Sequence, residues 1–458
     1  MNPPQLKTFV CRDCGATLRR PSAPLRCEAC GAQRVGLFRL QPADAPSAAS
    51  ASPAPPSPKP VPVRAAPAAP APPPPRVQRT PAPAVGPGSI AWRYPQVVPG
   101  DPLRQPLRNS PAIDAQGRIY AALGSSLACL RPSGSSIELA WEYRTGGHIP
   151  GPAVLGADGV VRVHSGDGRL HGVDERGAAA WSPPAVGEPL GWAAPIVDNS
   201  GNTWLCADVG GLVRVDARGT RDVRPYFRTR QRFDSTGLLR QGVLYVGAED
   251  AFIYAIAPSA SGGKNTWDHL AGCGKTAWFV NSAPAPGPDG TIVVAGRDEF
   301  LYFFATDGRL SSKVHIRGQM LGSPIVDADG NVYVGVSLLQ RGRRPAGKLV
   351  CVDGAAGHIA WEYETPGPVE STPVLAADGI LYFGDNGGTV HAIDRSGNRQ
   401  WSSPVGAAVR SAGTLCGPEH VLFGLDDGTL VALLCKSREL ASAGWPKLLA
   451  TLSQSAPS

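Results

Sequence analysis

Ser371–Trp401 reads STPVLAADGILYFGDNGGTVHAIDRSGNRQW. A small-residue lead (Ser371, Pro373, Val374) meets the turn Ala377-Asp378-Gly379. The run Ile380-Leu381-Tyr382-Phe383 ends at Asp385-Asn386-Gly387-Gly388, and the run Thr389–Ile393 ends at Asp394-Arg395-Ser396-Gly397, before Trp401. Short β-branched and aromatic runs between Gly, Asp and Asn turns are the pattern of antiparallel strands. One such unit cannot cover both of its apolar faces, so it needs neighbours of its own kind.

Working outward, the same unit recurs. NSPAIDAQGRIYAALGSSLACLRPSGSSIELAW starts at Asn109 and GPAVLGADGVVRVHSGDGRLHGVDERGAAAW at Gly151. Further copies start at Ala194, Ser235, Ala283, Gly322 and Ala412. First-turn glycines (Gly117, Gly159, Gly201, Gly242, Gly290, Gly330, Gly379) recur every 40 to 49 residues, and an eighth slot falls at Glu419-His420. A period of roughly 40–50 residues with four strands per unit predicts a β-propeller. The expected fold is all-β: an eight-bladed propeller of four-stranded antiparallel blades.

The recurring SPA lead, Asp-Gly turn, Gly-x-Leu-x-Ala hairpin and Asp-x-x-Gly-x-x-x-Trp close resemble the pyrroloquinoline-quinone-like propeller repeat from Ala91 to about Leu449. The resemblance implies that each Trp docks between neighbouring blades. It also implies that Trp92, in SIAWRYP, sits on an outer strand supplied to the last blade, which closes the ring.

The amino-terminal part differs in kind. Residues 1–88 hold eleven Lys/Arg against Asp13, Glu28 and Asp44, a charge of +8 that leaves −1 of the chain's +7 to the remainder. Cys11-x-x-Cys14 and Cys27-x-x-Cys30 are each followed by glycine (Gly15, Gly31). Two thiolates three positions apart on a tight turn present both sulfurs to one ion, and two such turns make a tetrahedral site. The pattern resembles a zinc ribbon, with structural zinc on Cys11, Cys14, Cys27 and Cys30. A segment this small has no sufficient core of its own, so metal binding would supply its folding energy.

Between 41 and 88 the composition collapses to Pro, Ala and Ser, which predicts an extended, disordered linker. The expected organisation is ribbon 1–40, linker 41–88, propeller 89–450 and a short disordered tail 451–458. No apolar stretch resembles a signal peptide or a membrane span, and the propeller's cysteines are scattered. These features predict a cytoplasmic, monomeric protein in a reducing compartment, away from the membrane.

Catalytic signals are sparse. Quinone-dependent enzymes of the resembled fold often carry an adjacent Cys-Cys pair, which is absent here, so PQQ is not an expected cofactor. His171 and His391 share one repeat column three blades apart, which predicts core or channel histidines. The recurring Asp-Gly pairs predict turns, not calcium ligands. Two departures from the repeat are candidate partner sites: Arg228, Arg230 and Arg232 where unit three lacks its Trp, and Arg341, Arg343 and Arg344 in a long hairpin of unit six. The chain therefore reads as a non-catalytic adaptor with protein partners. Two alternatives are a funnel-binding enzyme or sugar-binding propeller, and a nucleic-acid-associated factor acting through its basic arm.

Overall fold

The computed structural model describes residues 86–95, 105–133, 136–187, 190–208, 210–222, 226–229, 231–233, 235–259, 262–339, 344–417, 419–436, 439–442 and 447, with the backbone of three amino-terminal strands. Contacts divide the chain into two units, Met1–Pro72 and Pro73–Ser458. In the first, Lys7–Cys11 pairs antiparallel with both Thr17–Arg20 and Phe38–Leu40. Cys11 ends this central strand opposite Phe38. Cys14, Cys27, Cys30, linker residues 41–85 and the tail 451–458 lie outside the described residues.

The second unit is an eight-bladed propeller of antiparallel sheets. The seventh blade comprises Val374–Leu375, Ile380–Gly384, Thr389–Asp394 and Arg399–Pro404. Its middle strands lie between neighbouring blades and are buried almost throughout, whereas the outer strand alternates between exposed and half-buried residues. That contrast explains why apolar runs, rather than strict alternation, mark the second and third strand of each repeat. The apolar clusters accordingly span blade boundaries. One joins Leu130 and Ile137 of the first blade to Leu422 and Ala432 of the eighth.

The last blade is completed from the other end of the chain. Thr414–Cys416, His420–Gly424 and Leu430–Leu434 supply three strands, and Ile90–Tyr94 supplies the fourth, with Trp92 opposite Ala432. Trp92 is buried at 5% exposure. This is the position expected for it. The hydrogen bonds begin slightly earlier: Gly88 donates its N–H to Leu434 O at 2.8 Å.

Tryptophans dock between blades as the repeat implied. The indole N–H of Trp141 donates to Glu175 O at 3.0 Å, that of Trp267 to Thr306 O at 2.9 Å, and that of Trp361 to Arg395 O at 2.9 Å. Each acceptor lies in the third turn of the next blade, Asp-x-x-Gly for Glu175 and Arg395 and Ala305-Thr-Asp-Gly308 for Thr306. Gly177 in one such turn has φ +84°, and a Cβ there would stand 2.8 Å from the Trp141 ring. Blade three, without a Trp at its outer strand, substitutes Tyr226, whose carbonyl accepts the Gly263 N–H at 2.7 Å. Gly88 packs on Trp401, so the incoming amino-terminal strand also completes this series.

Two local departures have physical causes. Blade two keeps three regular strands, and its outer edge is held by the isolated bridges Val173↔Ala179 and Arg169↔Ala185. Its sequence there, Trp181-Ser-Pro-Pro-Ala185, lacks two backbone N–H donors, which prevents a regular ladder. In blade eight the first-turn glycine is replaced by Glu419 at φ +56°. A side chain in the left-handed region costs roughly 1 kcal/mol. We expect Glu419→Gly to raise the stability of the propeller by about 0.5–1 kcal/mol, read as a higher urea midpoint. A lower midpoint would mean that the glutamate side chain contributes more than its backbone conformation costs.

Candidate functional site

Within each blade the second hairpin turn and the linker to the next blade emerge on one face of the ring. The first and third turns emerge on the other. Around the channel, the leads into the first strands link neighbouring blades. Ala283 N–H donates to Ser323 Oγ and Ser323 N–H to Thr372 Oγ1, both at 2.9 Å, and Ser110 Oγ donates to Ala412 O at 2.8 Å.

The linker face carries a charge network where the ring closes. Arg108 Nε lies 3.0 Å from Asp426 Oδ1, Arg410 bonds both Asp426 and Glu370 (3.0 Å to the latter), and Asn386 donates to Glu370 at 2.7 Å. Two guanidinium groups thus face two carboxylates.

The two column histidines form matching clasps. His171 Nε2 meets Asp167 Oδ2 at 3.0 Å, while Tyr143 of the preceding blade meets Nδ1 at 3.0 Å. His391 meets Asp385 at 3.0 Å and Tyr363 of its preceding blade at 3.3 Å. Burial pulls the His171 imidazole below its ordinary value, against the opposing pull of Asp167. Burial works to raise the Asp167 carboxyl, but the Gly146 N–H and the imidazole outweigh it and hold that carboxyl low. Each histidine therefore has its own partners, as expected for core histidines. Asp250 with Tyr254 (2.6 Å) and Asp298 with Tyr302 (2.7 Å) repeat the motif with a phenol in place of the imidazole.

The Asp-Gly positions are turns. Gly168, Gly388 and Gly428 all have positive φ. Where Asp327 and Asp329 come close in blade six, Arg395 of blade seven lies against both carboxylates. Among the described residues no three His, Cys, Asp or Glu side chains are placed to share a metal ion.

Of the six candidate arginines, three are among the described residues. Arg228 is exposed on the outer strand Phe227–Arg228, Arg232 is exposed and pairs with Glu249 at 2.9 Å, and Arg344 is exposed beside the long hairpin. Arg230, Arg341 and Arg343 lie outside the described residues. The blade-six hairpin itself is lengthened as expected, Asn331–Leu338 pairing with Ala346–Asp353 out to Leu338↔Ala346.

The linker face also presents apolar groups: Trp192 at 57% exposure, Trp278 at 54% and Leu339 at 60%. Trp192 and Trp278 were absent from the sequence-derived candidates. Register alone did not single them out, since Trp204 and Trp267 also fall outside Asp-x-x-Gly-x-x-x-Trp and are buried. Beside Trp278 lies an open cleft of ≈ 510 Å³, between the second hairpin of blade four and the linker to blade five.

The family described as outer membrane protein assembly factor BamB matches residues 82–269 and 249–442. The chain belongs to this family. No curated protein matches it. Among solved structures this BamB-family propeller is similar to BamB from Moraxella catarrhalis, at 17% identity and TM-score 0.56, over 72% of this chain and 97% of that one. It is also similar to quinohemoprotein alcohol dehydrogenase from Comamonas testosteroni, at 14% identity and TM-score 0.56, over 78% and 77%. A europium-containing methanol dehydrogenase matches at 13% identity and TM-score 0.55, over 74% and 84%. At these identities the likeness is one of fold, shared by an assembly factor and by enzymes.

Proposed function

We propose that this chain is a non-catalytic adaptor whose propeller engages protein partners through the linker face, with the zinc ribbon as a second contact module. The exposed trio Trp192, Trp278 and Leu339 carries this reading. Large apolar side chains more than half exposed on one face are where a partner gains most from burial. The BamB-family match supports a propeller that works by contact. The likeness to quinone dehydrogenases supports the alternative of a funnel enzyme.

A cytoplasmic location is part of the proposal. It is supported by buried cysteines that form no disulfide, Cys129, Cys206, Cys273, Cys351 and Cys416, among which burial pushes the thiols of Cys206 and Cys351 up to about 12. Among the described residues no helix is long and apolar enough to cross a membrane.

The test replaces Trp192, Trp278 and Leu339 together by Ser. The variant should keep the melting temperature of the parent and lose a co-purifying protein. Quinone-dependent dye reduction after adding PQQ and calcium would instead establish the enzyme. For the ribbon, the purified chain should contain about one zinc. Cys27→Ser should release it without moving the propeller's thermal transition. Zinc retained by that variant, or absent from the parent, would remove the ribbon. Salt-dependent nucleic-acid binding that is lost from a chain beginning at Gly86 would place the basic arm, not the propeller face, at the centre of function.

A further inference from the structure

The cleft beside Trp278 is built from groups of complementary kinds. Trp278 and Phe279 stand edge to face, with ring centroids 6.1 Å apart at 81°, and Ala251 adds apolar surface. Glu249 and Asp250 supply the charged side chains of its lining. The linker bearing Trp278 is fastened in place. Thr276 Oγ1 donates to Trp278 O at 2.7 Å, and Ala277 N–H donates to Asp298 at 2.8 Å. The half-exposed indole is therefore preorganised.

Its acidic side is only partly compensated. Arg232 answers Glu249. Asp250 Oδ2 accepts the Tyr254 phenol at 2.6 Å, while Oδ1 is shielded from water and has no hydrogen-bond donor. A carboxylate accepts and cannot donate, and an indole face attracts positive charge. Among the described residues no cation answers Asp250, and its negative field, rather than a contact to the shielded Oδ1, favours a cationic occupant of the cleft. The volume of ≈ 510 Å³ is in the range that admits a few side chains rather than a fold.

We propose that this cleft binds an extended segment of a partner protein through a lysine or arginine side chain seated over Trp278 and facing Asp250. This names the partner chemistry of the adaptor reading and rests on it. The neutral alternative, a sugar stacked on the indole, makes no use of the uncompensated carboxylate.

The experiment uses the full chain and a fluorescein-labelled dodecapeptide of alternating Gly and Arg, followed by anisotropy. A Gly/Glu dodecapeptide and maltohexaose serve as the other probes. Saturable binding of the Arg peptide is expected, weakened roughly tenfold by Trp278→Ala and by Asp250→Asn. Trp278→Phe should retain most of it, which separates recognition from damage to the fold. Silence of the Arg peptide, equal binding by all variants, or binding of maltohexaose in its place would overturn the proposal. If the Arg peptide is silent while the linker face still retains a protein partner, the cleft assignment fails and the adaptor reading stands. If both are silent, both fail.

Discussion

A chain beginning at Asn109 is expected to be far less stable than one beginning at Gly86, although both contain seven complete repeats and most of the eighth. The shorter chain lacks Ile90–Tyr94, which leaves Leu430–Leu434 as an unpaired edge. It also lacks Trp92, packed against Leu130, Ile137 and Leu430. Removing a buried aromatic side chain costs about 3–5 kcal/mol by truncation data, and the lost ladder adds to this. A domain's total stability is typically about 5–15 kcal/mol, so the shorter ring should aggregate or melt well below the longer one. Trp92→Ala in the full chain isolates the side-chain share, about 3–5 kcal/mol. Equal melting of the two truncated chains would mean that the ring closes without its amino-terminal strand.

The second large effect is a loss of stability in mild acid, centred on blade two. His164 is fully buried, its Nε2–H donates to Ala193 O at 2.9 Å, and its Nδ1 has no hydrogen-bond partner. Burial, aided by the neighbouring His148, pulls its value down from 6.5 to about 4. His148 and His171 are lowered in the same direction, chiefly by burial. In each case the unfolded chain takes up the proton first. The contribution is therefore fully present above pH ~6.5 and is lost as pH falls towards about 4. At about 1.4 kcal/mol per pH unit, His164 alone accounts for about 3 kcal/mol. Carboxylates held low, such as Asp167 and Asp327, add their loss only below this window. Urea midpoints measured from pH 7.5 to 4.5 should fall steeply for the parent and less steeply for His164→Gln, whose amide can still donate to Ala193 O. Parallel curves would show that His164 does not titrate in this range.

Much of the ring could be read from particular residues. The glycines from Gly117 to Gly379 announce their turns because only a positive φ fits there. The eighth slot was legible at Glu419 despite the missing glycine, because spacing persists where one residue does not. Trp92 was legible because the closing-strand motif stood without a repeat before it. The edge of blade two was not, because Trp181 satisfies the motif while Pro183 and Pro184 remove the donors that a ladder needs. The clasps were not either. They join Tyr143 to His171 and Tyr363 to His391 across a blade boundary, each pair taking its two members from successive repeats. The ion pair of Arg108 with Asp426 was equally hidden, since the two meet only when the ring closes. The exposed tryptophans were not legible either, since Trp204 and Trp267 are equally out of register and yet buried.

Photo-crosslinking in the organism tests the adaptor claim most directly. A photoreactive residue at position 192, 278 or 339 probes the linker face, and one at position 116 or 396 probes turns of the opposite face. The account predicts a common protein adduct from the first three positions and none from the other two. Adducts only from the opposite face, or from neither face, would contradict it.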